Sequence, residues 1–204
     1  MNTERDREDA LTLEILDTIE KDEDVSQRHL ARQLGVALGL ANSYLKRCIR
    51  KGYVKVTQAP AHRYLYYLTP KGFSEKSRLT ARYLSYSLSF YRKAGDSCLQ
   101  VFEQCGQRGW RRLLLCGVSD LAEIATLRAM ERDIVIIGFF DPACERNRFL
   151  GRPVWPVFRD VDSFDACLLT DLREPQVSYR KLQEYVRLEQ ILVPDVLSLE
   201  VQKT

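Results

Sequence analysis

At 204 residues, 45% hydrophobic and 29% charged, the chain can form two domains of about 100 residues, each large enough to bury a core. That composition is not that of a disordered chain, no apolar run approaches the roughly 20 residues of a membrane span, and the opening MNTERDREDA has no apolar leader core, so a cytoplasmic protein is expected. Six scattered cysteines without a CxxC pair and only two histidines, His29 and His62, argue against a structural metal site and leave Cys144, in a polar loop, as the thiol best placed for redox chemistry.

Residues 6–20 read as a first helix, with Leu11, Ile15, Leu16 and Ile19 on one face and acids over the rest, the acidity turned away from any polyanion. After a charged loop, residues 26–51 read as two short helices joined by a tight turn. Ser26 is a good N-cap, Leu30, Ala31 and Leu34 recur at helical spacing, and Gly35 stops the first helix. In the second, Ala41, Leu45, Cys48 and Ile49 fall on one side and Asn42, Ser43, Lys46, Arg47 and Arg50 on the other. Its outer face offers amide, hydroxyl and guanidinium groups of the kind that bond base edges and phosphates in a major groove. Tyr53–Gln58 then alternates as a strand, residues 59–61 interrupt, and Arg63–Thr69 forms a second strand, giving the wing of a winged helix. The expected DNA contacts are Ser26, Gln27 and Arg28, then Asn42, Ser43, Lys46, Arg47, Arg50 and Lys51, and at the wing tip His62 and Arg63.

An amphipathic helix alone is more often a solvated surface, so charge decides the reading. From Val25 to Arg92 there are 13 Lys and Arg against one acid, Glu75, while the rest of the chain holds 18 bases and 27 acids. A one-sign block of that length implies a polyanionic partner, double-stranded DNA. Next, Thr69 can cap and Pro70 can open a long helix running to about Arg92. Leu79, Tyr83, Tyr86 and Phe90 form one stripe on it, widened by Leu84, Leu88 and Tyr91. These are more rings than a small winged-helix core holds, which implies a partner helix from a second chain and a homodimer presenting two reading helices.

SQRHLARQLGVALGLANSYLKRCIRKGYVKV and YYLTPKGFSEKSRL resemble the MarR-like winged-helix transcription regulators, in particular those associated with exopolysaccharide gene clusters, over residues 8–92. The resemblance implies dimeric DNA binding. Many such regulators end near this point, whereas this chain continues for over a hundred residues.

Gly95, Asp96 and Ser97 are expected to break the long helix, with Cys98–Gln104 forming a separate one. The expected division is therefore a DNA-binding domain at 1–92, a linker helix at 93–110 and a further domain at 111–204. In the last, RLLLCG reads as a buried strand, residues 118–133 as a helix, and IVIIGFFD as a second strand. Strands near 153–157, 166–170 and 191–193 and a helix at 175–188 continue the alternation. The fold class expected is an α+β winged helix-turn-helix domain followed by an α/β Rossmann-like parallel-sheet domain.

The turn Gly117-Val-Ser119-Asp120-Leu-Ala122 stands where a G-x-G-x-x-A dinucleotide fingerprint would, with Ser for the middle glycine, and Asp141 closes the second strand. Asp120 would repel a phosphate that came close, so a sugar, amine or base edge suits that position, while Asp141 suits ribose hydroxyls. DIVIIGFFDPACERNRFLGRPVWPV is also similar to the signature of the small Rossmann-like domains in bacterial sugar acetyltransferases and nucleotide-sugar dehydratases, over residues 112–171. That resemblance implies a nucleotide, an NAD-like dinucleotide or a nucleotide sugar held by Gly117, Ser119, Asp120, Asp141, Thr170 and Asp171. Arg146, Arg148 and Arg152 would meet phosphates or salt-bridge an acidic surface.

Together these readings describe a ligand-responsive transcription regulator, with no catalytic residues and no metal, controlling polysaccharide or nucleotide-sugar genes. Two alternatives stay open: a nucleotide-dependent sugar-modifying enzyme with a DNA-binding head, and a ligand-free dimerising DNA-binding protein. The second half has no histidine and no Tyr-x-x-x-Lys pair, which weighs against the enzyme.

Overall fold

The computed structural model describes residues 4–59 and 63–199. The chain divides into two compact units, Met1–Leu88 and Ser89–Thr204. The first holds α1 (Glu4–Lys21), α2 (Gln27–Gln33), α3 (Leu38–Arg50), the hairpin β1 (Val54–Ala59) and β2 (Arg63–Leu68), and the first part of α4 (Pro70–Gln107). Ile15, Leu16 and Ile19 of α1, Leu30 of α2, Leu45 and Cys48 of α3, and Val54 and Tyr66 of the hairpin make its core. The hairpin is antiparallel, in register from Val54 opposite Leu68 to Ala59 opposite Arg63.

The sequence LTPKG turns the hairpin into α4 for identifiable reasons. The Thr69 hydroxyl donates to the Gly52 carbonyl at 2.6 Å and accepts from the Gly72 amide at 3.0 Å, capping the helix that Pro70 opens. Gly72 sits where a Cβ would lie 2.1 Å from the Tyr53 carbonyl oxygen, so no other residue fits. The break expected at Gly95–Ser97 does not occur: α4 continues to Gln107. Ala94, Cys98, Val101, Phe102 and Cys105 are buried at helical spacing, and Gly95 packs against the Arg128 side chain, so this glycine serves close packing within a helix rather than a turn.

The second unit is an α/β sandwich around a six-stranded sheet. Its strands are β3 (Arg112–Cys116), β4 (Val135–Phe140), β5 (Arg148–Phe149), β6 (Arg152–Trp155), β7 (Ala166–Leu169) and β8 (Ile191–Leu192), in the order β5-β6-β4-β3-β7-β8. All pairings are parallel except β5 with β6. Leu113 and Leu115 of β3 pack with α5 (Asp120–Ala129) and the last turns of α4, while Leu114 and Cys116 face Tyr179 and Leu182 of α6 (Pro175–Leu182). A helix on each face explains why these strands are apolar throughout. α6 is shorter than expected, giving way after Leu182 to turns and a 3-10 segment at Leu188–Gln190. The fold class read from the sequence is the one observed. Among the described residues no helix is long and apolar enough to cross a membrane.

Candidate functional site

In the first unit, α3 is held by Ala41, Leu45 and Cys48, and its opposite face is open. Ser43, Lys46 and Arg50, at spacings of three and four residues, are exposed together on that face, and Lys51 follows them. Asn42 does not share it. Its side chain is half-buried and its Oδ1 is buried without a hydrogen-bond partner, because one residue before Ser43 the helix has already turned toward the core. Arg47 is engaged as well, its Nη1 lying 2.8 Å from Glu8 Oε1 of α1.

Other acids of α1 meet the basic block in the same way. Asp17 and Glu20 pair with Lys76, and Asp6 and Asp9 with Arg82, so the first helix neutralises three of the bases counted toward DNA. The lowered carboxyl pKa of Glu8 follows from the Arg47 hydrogen bond, and that of Asp17 from Lys21 and then Lys76.

Ser26 acts as the N-cap of α2, its Oγ accepting from the His29 amide at 3.1 Å. Gln27 Nε2 donates to the Tyr66 hydroxyl at 3.2 Å, and Arg28 is exposed. Ser26, Gln27 and Arg28, with Leu38 and Tyr64, line a shallow hollow of about 560 Å³ beside the hairpin. Exposed Leu38 and Tyr64 were not legible as surface residues, since apolar and aromatic side chains read as core. His62 lies outside the described residues, as does the side chain of Arg63.

In the second unit, the turn after β3 is tied to its own chain. Gly117 has φ +106°, and a Cβ there would lie 2.6 Å from the Asp171 Cα, so the turns after β3 and β7 touch backbone to backbone. Ser119 caps α5, accepting from the Ala122 amide at 3.3 Å, and donates to the Thr170 carbonyl at 2.5 Å. The Thr170 hydroxyl donates to the Gly117 carbonyl at 2.6 Å. Gly117, Ser119 and Thr170 are thus brought together, but bonded to one another; Asp120 is exposed.

The two buried carboxylates lie beside a cleft of about 420 Å³ on the α6 side of the sheet. Asp141 accepts from the Val118 amide at 3.0 Å, the Ala143 amide at 2.9 Å and Arg173 Nη2 at 2.8 Å. Asp171 accepts from the Ser178 hydroxyl at 2.5 Å and the Arg173 amide at 2.9 Å. Burial raises the Asp171 pKa, but Ser178, the backbone amides and the Arg173 charge outweigh it and leave the carboxyl below its ordinary value. Arg173, Ser178 and Lys181 line this cleft and were missed in the sequence, where a lone Arg after a strand and polar residues on a short helix carry no pattern.

Two of the three loop arginines are tied to backbone carbonyls. Arg148 donates to the Gly151 carbonyl and Arg152 to the Ile136 carbonyl, at 2.5 and 2.7 Å, so both fix the β5-β6 edge. Burial pushes the Cys116 thiol well up, and its neighbour Cys167 adds to this, as befits two thiols in an apolar interior. Among the described residues no group of three or more His, Cys, Asp or Glu is placed to hold a metal.

Residues 8–55 match a family of winged helix-turn-helix DNA-binding domains. The match covers α1, the α2–α3 pair and the start of the hairpin, the elements that build the open face of α3. No curated protein matches the chain. Among solved structures it is similar to PigF with SAH, at 16% identity and a TM-score of 0.27, over 93% of this chain and 56% of that one. The chain thus spans about half the length of that protein.

The winged helix-turn-helix therefore stands on its own geometry and on the family match. The exposed face of α3 carries Ser43, Lys46 and Arg50, and Arg28 and Lys51 are exposed as well.

Proposed function

We propose that this chain is a cytoplasmic, homodimeric, DNA-binding transcription regulator whose α/β unit binds a nucleotide-type effector. The observation that carries the reading is the exposed face of Ser43, Lys46 and Arg50 on the second helix of a winged helix-turn-helix. Hydroxyl, ammonium and guanidinium groups at that spacing can meet base edges and phosphates from one side of a helix. The resemblance to MarR-like regulators of the exopolysaccharide type supports dimeric binding and suggests polysaccharide or nucleotide-sugar genes as targets.

Dimerisation is supported by α4. In the first unit its Tyr83, Leu84, Tyr86 and Leu88 are all at least half exposed, and an aliphatic and aromatic helix surface of that extent needs cover. The reading assigns the α/β unit to sensing, and what supports it is that both buried carboxylates are held by hydrogen bonds from their own chain, Asp141 by two backbone amides and Arg173, and Asp171 by Ser178 and a backbone amide. An effector can change DNA affinity only by binding one arrangement of the protein more tightly than another, and such couplings are typically about 1 to 3 kcal/mol.

Gel-shift assays of the full chain on the DNA flanking its own gene, with and without nucleotides and nucleotide sugars, test the reading. A retarded band that responds to one of these compounds is expected. Equal, weak retardation of every duplex, unaffected by Ser43→Ala, Lys46→Ala or Arg50→Ala, would overturn it.

A further inference from the structure

We infer that the cleft on the α6 side of the sheet binds a hydroxylated phosphomonoester, a sugar phosphate or nucleoside monophosphate. Arg173 and Lys181 receive its phosphate, and Asp141 receives its hydroxyls. The inference rests on the α/β unit being an effector sensor, and it narrows that effector by charge and size.

The cleft, about 420 Å³, falls in the range of small-ligand sites and has an apolar floor that includes Cys116, Phe140 and Leu182. Its decisive feature is the inequality of the partners around Asp141, which is 4% exposed. Two of its donors, the Val118 and Ala143 amides, belong to the backbone and stay in place. The third, Arg173, has a side chain 57% exposed at the mouth of the cleft. A buried carboxylate stripped of its charge partner is strongly destabilising unless other donors replace it. Ligand hydroxyls at Asp141 Oδ2 are such donors. They free the Arg173 guanidinium, which keeps Asp171 3.6 Å from its Nε and stays at the rim.

The freed guanidinium then presents a planar fork suited to phosphate oxygens, with the exposed Lys181 also on the cleft wall. Arg173 therefore has two partners to choose from: Asp141, to which it is bonded here, and a phosphate once ligand hydroxyls take Asp141. Glu174, also on the rim, disfavours a ligand whose negative charge extends past that pair.

The same geometry favours a monophosphate over a dinucleotide. In a Rossmann-like unit the pyrophosphate lies against the turn after the first strand, here Gly117–Ser119. A side chain at Gly117 would meet the backbone of Asp171, and the Ser119 hydroxyl is committed to Ala122 and Thr170. The cleft reaches Gly117, but its walls are Arg173 of the turn after β7 and Val177, Ser178 and Lys181 of α6.

Calorimetric titration and thermal melts of the full chain test this with adenosine monophosphate, glucose 1-phosphate, adenosine, glucose, NAD and inorganic phosphate. At least one monophosphate should bind about tenfold or more tightly than its unphosphorylated parent and than inorganic phosphate. Arg173→Gln and Lys181→Gln should each abolish most of that preference. Arg173→Gln leaves Asp141 short of a partner and can lower the melting temperature, whereas exposed Lys181 can be replaced without touching the core, so Lys181→Gln keeps the test sound.

Parents binding as tightly as their monophosphates, NAD binding tighter than either monophosphate, inorganic phosphate matching the esters, or no probe binding at all would each overturn the site. Failure here is separable from failure of the regulatory reading. A chain that retards DNA but ignores every probe lacks this site, while one that binds a monophosphate without any change in DNA retardation has the site and is not regulated through it.

Discussion

Arg47 of the reading helix and Glu8 of α1 are joined by an ion pair of 2.8 Å, so a base that the helical pattern aims at DNA is shared with the first helix of its own domain. If Arg47 meets DNA as proposed, binding must compete with that pair. Surface pairs of this kind are worth little, so Glu8→Gln should raise DNA affinity by about two- to fivefold in a gel-shift titration at low salt. An unchanged or reduced affinity would mean that Arg47 serves only to hold α1.

The salt dependence of binding reports how many bases reach phosphate. The exposed set Arg28, Lys46, Arg50, Lys51 and Lys55, with a wing contribution, corresponds to about six neutralised phosphates and a slope near −5 for log affinity against log salt. Fluorescence anisotropy between about 50 and 300 mM salt measures it. Lys51→Ala should reduce the slope by about 1 and weaken all duplexes alike, while Ser43→Ala or Arg50→Ala should also relax the preference between duplexes.

Gly117→Ala combines a left-handed backbone, φ +106°, with a methyl group 2.6 Å from the Asp171 Cα. Neither can relax without moving the turn after β7. The expected loss is about 2 to 4 kcal/mol, seen as a drop in the melting transition of the α/β unit by about 10 °C or more. A neutral result would show that the two turns can part.

Because its folded pKa lies below the ordinary carboxylate value of about 3.9, Asp171 contributes stability that is fully present above about pH 4 and disappears as the pH falls through the folded value. Urea unfolding of wild type and Asp171→Asn at several pH values from about 2 to 6 checks the sign. The substitution should be destabilising near neutrality, and the difference should shrink as the medium becomes acidic.

Leu84 and Leu88 are both more than half exposed on α4. If a second copy covers them, Leu88→Glu should convert a dimer to a monomer by light scattering and weaken binding to a two-fold-symmetric duplex far more than to a single half-site. A wild-type chain that is already monomeric at micromolar concentration would remove this surface from the proposal.

The helix pair, the wing and the sheet were legible because each is set by periodicity: apolar positions three and four apart in α2 and α3, alternation in Val54–Gln58, and unbroken apolar runs in β3 and β4. The chemistry at the sites was less so, because it depends on what each side chain meets. Asn42 and Arg47 look equivalent to Lys46 in a helical projection, yet one turns inward and the other is taken by Glu8, 39 residues earlier. The fingerprint glycine at 117 was recognisable, but its purpose, room for the Asp171 backbone, belongs to a strand more than 50 residues away. Gly95 misled for a related reason, since a glycine that admits an arginine's guanidinium looks in sequence like one that ends a helix.

The sheet ends on both sides in strands of two residues, Arg148–Phe149 and Ile191–Leu192, with Pro153 opposite the first and Pro194 just beyond the second. Long unpaired borders invite strand addition from other chains, and a border this brief gives an incoming strand almost no ladder to extend. The α/β unit is thereby spared fibrous self-templating.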